Sequence, residues 1–130
     1  MRKNWQHWLV IVALTALALI VAAEFTWAAD FRPLVGRWQR TDGGYVIDIR
    51  RVAPDGSMQA RYYNPRPINV ARARASMVKE YLKVEVELRD TGYPGSTYTL
   101  LYDPDKDALL GFYYQAVQQQ NFDVVFVRMK

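Results

Sequence analysis

The 130-residue chain contains no cysteine and a single histidine, His7. Without cysteine there is no disulfide frame, no thiolate nucleophile and no Cys-held metal or haem. His7 lies in the N-terminal stretch, so everything after it lacks imidazole. That excludes Ser-His-Asp and Cys-His catalysis, and His-ligated zinc, from the rest of the chain. Also missing are a phosphate-binding Gly loop and any nucleotide motif. A domain without cysteine suits an oxidising compartment, because it does not depend on disulfides. Beyond residue 29 about 100 residues are left, enough for one core and too few for two.

Hydrophobic residues make up 51% of the chain, and they crowd its beginning. Arg2 and Lys3 precede an apolar run from Leu9 to Ala23, broken by Thr15. Small residues follow at Thr26, Ala28 and Ala29. This is the layout of a secretory signal peptide, cleaved after Ala28 or Ala23. No cysteine stands there to carry a lipoprotein anchor. The rival reading is an uncleaved signal anchor, a hydrophobic helix flanked by Trp5, Trp8 and Trp27 as interfacial belts. Its span is short and contains Glu24, which weakens that reading. Both send the rest of the chain across a membrane. The expected organisation is therefore 1–29 as signal peptide or anchor and 30–130 as a single domain. That domain is periplasmic or secreted, or else anchored on the outer side of the membrane.

The period of the body is two. In Lys83-Val84-Glu85-Val86-Glu87-Leu88-Arg89 the apolar residues take one face and the charges the other. Turn signals recur at strand-length intervals, among them Asp42-Gly43-Gly44, Pro54-Asp55-Gly56 and Asp103-Pro104-Asp105. The spacing predicts strands at 36–40, 45–52, 57–64, 69–76, 81–89, 96–102, 109–117 and 122–129. Short links make sequential strands antiparallel neighbours. An open meander leaves two exposed edges, and closure removes them. The expected fold is all-β: an eight-stranded antiparallel up-and-down barrel, preceded by the N-terminal hydrophobic helix.

The first strand carries a further signal, Phe31-Arg32-Pro33-Leu34-Val35-Gly36-Arg37-Trp38. This segment resembles the opening of calycin barrels, the lipocalins and their avidin and fatty-acid-binding relatives. In lipocalins a short 3₁₀ turn leads into Gly-x-Trp on the first strand. The resemblance implies that Gly36 and Trp38 close one barrel end, with Arg128 of the last strand packed on the indole. A guanidinium plane suits that place, since it can stack on the ring and donate to carbonyls. The chain departs from secreted lipocalins in lacking disulfides and a C-terminal helix, and in being shorter. Its length is nearer that of avidin barrels. No Trp follows Trp38, so biotin binding is not implied.

Inward and outward parity then select candidate residues. Ala71, Ala73 and Ala75 alternate with Arg72 and Arg74, which predicts three alanines facing the lumen and leaving space. In a meander, alternate links share one end. Links 41–44, 65–68, 90–95 and 118–121 should therefore form one mouth, rich in Tyr, Asn, Gln, Pro and Gly. Aromatic walls with amide and hydroxyl donors suit a small amphiphilic or aromatic ligand. The expected function is an exported, non-catalytic binding protein for such a ligand or an envelope component. Expected contacts are Tyr45, Tyr62, Asn64, Asn69, Tyr93, Ser96, Tyr98, Tyr113 and Gln115.

The alternative is an interaction module with a filled barrel. It would dock an envelope protein or a membrane surface through an outer basic face of Arg50, Arg61, Arg72 and Arg74. Asp103-x-Asp105-x-Asp107 copies the first spacings of an EF-hand loop, but Ala108 and Tyr114 stand where Gly and Glu are required. An Asp-Pro hairpin turn explains those aspartates. Glu85 and Glu87 read as exposed strand positions, not a catalytic pair. No metal, cofactor or nucleic-acid partner is expected, and membrane contact is expected through the N-terminal segment.

Overall fold

The computed structural model describes residues 28–130. The signal peptide, anchor or helix expected at the N-terminus lies outside these residues. A 3₁₀ turn, Arg32–Leu34, has Pro33 as its second residue, where the fixed φ suits the start of a helix and the missing N–H is not needed. It buries Leu34 and leads into β1, Gly36–Arg40. There follow β2 (Val46–Val52), β3 (Met58–Tyr63), β4 (Pro67–Ile68), β5 (Val70–Val78), β6 (Tyr81–Leu88), β7 (Thr97–Asp103), β8 (Ala108–Gln115) and β9 (Gln120–Arg128).

The architecture is all-β, a nearly closed antiparallel up-and-down barrel of nine strands, not eight. The added strand is β4, two residues that pair Ile68 with Tyr62 and Pro67 with Tyr63. Pro65 and Pro67 lack N–H groups, and the sequence pattern reads them as a break. Pro67 nevertheless sits at the first strand position, where the missing donor is tolerated. The remaining eight strands match the expected ones within two residues at each end.

The sheet order is β4-β3-β2-β1-β9-β8-β7-β6-β5, so the first and last long strands meet through Trp38↔Arg128. Alternation fills the lumen. Val84, Val86 and Leu88 of β6 are buried between half-buried charged neighbours, as their period of two dictates. Trp38, Ile47, Ile49, Leu100, Leu109 and Phe126 complete the packing and are almost wholly buried. Tyr98 stacks on Tyr113 at 4.5 Å between ring centres and meets Phe126 edge-on at 5.2 Å.

The expected row of three lumen alanines is corrected. Ala75 is buried and Ala73 half-buried, but Ala71 is exposed. A β-bulge between Val70 and Arg72 makes Ala71 the extra residue and turns it out of the alternation. The inward row is therefore two alanines, Ala73 and Ala75.

Closure is incomplete along one line. The turn that leads into β3 joins β5 through the isolated bridge Ser57↔Arg74 and the Ala75 N–H bond to the Gly56 carbonyl, 2.8 Å. No ladder pair joins Met58–Arg61 to Val70–Ala73 among the described residues.

Candidate functional site

One end of the barrel is plugged. The Trp38 indole N–H donates to the Leu34 carbonyl at 3.0 Å, and the Arg128 guanidinium lies 4.2 Å from the indole ring centre. Arg128 also donates to the carbonyls of Val35 and Pro33, and pairs with Asp107 at 2.8 Å. Gly36 admits this guanidinium: a Cβ there would stand 2.5 Å from an Arg128 nitrogen. Asp103 accepts the turn amide of Asp105, and Asp107 also accepts the Tyr102 hydroxyl. Of the aspartates with EF-hand-like spacing, Asp103 is thus engaged in the turn and Asp107 in the plug.

The opposite end is open. The links after β1, β3, β6 and β8 gather there around a cavity of about 420 Å³. Tyr45, Tyr62, Asn64, Tyr93, Tyr113 and Gln115 line it, together with Arg40, Gly92, Gln118 and Phe122. Each arrives for a local reason. Tyr45 leads into β2, and Tyr113 and Gln115 share the inward parity of β8. Asn64 donates to the Tyr93 hydroxyl at 2.6 Å, tying two links together. The Gln115 side-chain oxygen accepts the Gln118 amide at 2.6 Å and shapes the last link.

Three expected contacts do not line the cavity. Asn69 donates to Asp90 through its main-chain and side-chain nitrogens, at 2.9 and 2.7 Å, and holds the 90–95 link in place. Ser96 is fully buried and accepts the Ala116 amide at 3.1 Å, joining that link to the next. Tyr98 lies one layer deeper, with its hydroxyl 2.9 Å from that of Tyr62. These residues brace the mouth from behind. The four arginines of the expected basic face lie elsewhere, on the outer surface at the β3–β5 seam.

Four cavity residues are absent from the expected contacts, Arg40, Gly92, Gln118 and Phe122, and Arg40 is the one that carries charge. Its side chain is 10% exposed at the base of the cavity. It pairs with both oxygens of Asp42, at 2.8 and 2.7 Å, and donates to the Tyr98 hydroxyl at 3.1 Å. The guanidinium also covers the Tyr45 ring at 4.1 Å. Inward parity with Trp38 is the signal that could have found it.

Electrostatics follow from this packing. Burial works against the charge of Arg40, but the Asp42 carboxylate and the Tyr98 hydroxyl outweigh it, and the cation is held. The same pair draws Asp42 below the usual carboxylate range. Burial pushes the Tyr98 phenol up to about 12, although bonds from Tyr62 and Arg40 oppose the rise. Burial likewise raises Tyr62 and Tyr113. At neutral pH these phenols are therefore protonated and poor bases, and the mouth offers neutral donors around one paired cation. Compared with protein-family models, with curated proteins and with solved structures, the chain matches none.

Proposed function

We propose that the chain is a non-catalytic binding protein whose mouth takes one small amphiphilic, aromatic molecule. The observation that carries this reading is the 420 Å³ cavity, walled by Tyr45, Tyr93, Tyr113 and Phe122 and floored by Arg40. That volume falls in the range of small-molecule sites, which combine apolar walls with few oriented polar groups. A flat apolar part packs on the rings. A polar end meets Asn64, Gln118 and the edge of the Arg40–Asp42 pair. The Tyr62–Tyr98 layer closes the cavity below, so the ligand stays at the rim and does not enter the lumen. Protonated phenols and a carboxylate-paired guanidinium provide hydrogen bonds and no ready general base, which fits recognition. Export by the N-terminal segment is part of the proposal and places this mouth outside the membrane.

Native mass spectrometry of the protein purified from its producing cells tests the reading. The expected spectrum carries an added small organic mass, and the double substitution Tyr93→Ala with Tyr113→Ala removes it. A bare protein mass that stays bare after incubation with N-phenyl-1-naphthylamine, an aromatic amphiphile, contradicts the proposal.

A further inference from the structure

The break in the barrel wall is also a concavity. A groove of about 610 Å³ follows the seam where β3 and β5 separate. Ser57↔Arg74 bounds the gap between the strands at one end and the β3–β4 pairs bound it at the other, while the surface concavity runs on past Arg61 and Val70 into a hollow of about 310 Å³ beside β4. Between them the open stretch is Met58–Arg61 facing Val70–Ala73, about 13 Å long at the rise of a strand. Ala60, Ala71 and Ala73 keep the groove clear of bulk. Two β-bulges flank it, one at Arg50 in β2 and one at Ala71 in β5.

Arg50, Arg61, Arg72 and Arg74 all line this groove, and all are exposed. All four arrive by outward parity, Arg50 as the residue after buried Ile49. Carboxylates answer part of the charge. Asp48 lies 3.3 Å from Arg50, Glu87 lies 4.0 Å from Arg72, and Asp55 feels the charge of Arg74. Arg61 and Arg74 form no ion pair among the described residues. The carboxylates stand outside the lining, whose only charged side chains are the four arginines, and a concave basic surface concentrates anions more strongly than a flat one. Guanidinium forks match the paired oxygens of phosphate. Arginines from three strands meet over one short groove, so a compact anion with two phosphates engages several guanidinium forks at once, which a single phosphate does not.

We propose that the arginine-lined seam binds a compact ligand carrying two neighbouring phosphates, as in a diphosphate. The site is separate from the mouth and does not depend on it. Its test is calorimetric titration of the full chain, in nonionic detergent, with inorganic pyrophosphate. Binding is expected to be saturable, one to one and weakened by salt. Arg61→Gln with Arg74→Gln is expected to weaken it about tenfold or more, and the Lys pair at those positions by less, since Lys keeps charge without the fork. Tyr93→Ala is expected to leave it unchanged. The arginines are exposed, so these variants keep the fold, and unchanged thermal melting checks this. Flotation with phosphatidylcholine vesicles, with and without diacylglycerol diphosphate, separates the sources. Extra recovery on the doped vesicles assigns a lipid headgroup, and pyrophosphate binding without it assigns a soluble ligand. The proposal is overturned by absence of saturable pyrophosphate binding, by equal binding in the glutamine pair, or by tighter binding of hexa-aspartate than of pyrophosphate.

Discussion

Replacing Trp38 with alanine is expected to lower the unfolding free energy by about 3–5 kcal/mol, the range for truncating a buried Trp. A domain of this size has about 5–15 kcal/mol in all, so the loss is a large share. Three contacts fail together. The Leu34 carbonyl loses its indole donor, Arg128 loses the ring beneath it, and Tyr102 loses an edge-on neighbour at 6.0 Å. Trp38 is fully buried, so its removal leaves a void at the plugged end. Urea denaturation followed by far-ultraviolet circular dichroism measures the effect, because the substitution removes a fluorophore. Trp38→Phe keeps the ring but not the N–H and should fall between. A loss below about 1 kcal/mol would place Trp38 outside the core, contrary to this account.

Gly56→Ala is expected to cost about 3 kcal/mol or more, although it adds one methyl group. Gly56 has φ +92°, a conformation that L side chains rarely adopt. A Cβ there would also stand 2.0 Å from the Ala75 carbonyl oxygen, a backbone atom that cannot swing aside. The same turn supplies the Gly56 carbonyl that accepts the Ala75 amide across the seam. Relief of the clash therefore pulls β3 away from β5 at one of their few joins. The expected readout is a lower melting temperature with faster amide exchange at Ala75. Exchange at Ala75 that matches the wild type would contradict the role given to this join.

Much of the barrel was legible from Lys83–Arg89 and from the Asp, Gly and Pro turns, because a half-buried strand imposes a period of two. The parts that escaped share a physical cause. Nothing in Val70-Ala71-Arg72 marks a bulge, since Ala and Arg adopt either backbone form. The two-residue β4 is too short to have a period. The seam is a missing set of hydrogen bonds between strands, a tertiary property with no local composition. At the mouth, link clustering brought Tyr45, Tyr62, Asn64, Tyr93, Tyr113 and Gln115 to one cavity. Asn69, Ser96 and Tyr98 were misplaced because polarity alone does not tell a rim contact from a brace. Arg40 escaped because a charge on an inward parity is tolerable when partnered. Its partners are Asp42, two residues on, and Tyr98, 58 residues on.

The proposed ligand sits at the mouth and not in the lumen. Amide chemical-shift mapping of the isotopically labelled full chain, titrated with N-phenyl-1-naphthylamine, tests this placement most directly. Saturable shifts are expected to cluster at Asn64, Gly92, Tyr93, Gln115 and Gln118, with the amides of Trp38 and Ile49 undisturbed. Shifts that centre on Trp38 and Ile49, or no saturable shifts at all, would contradict it.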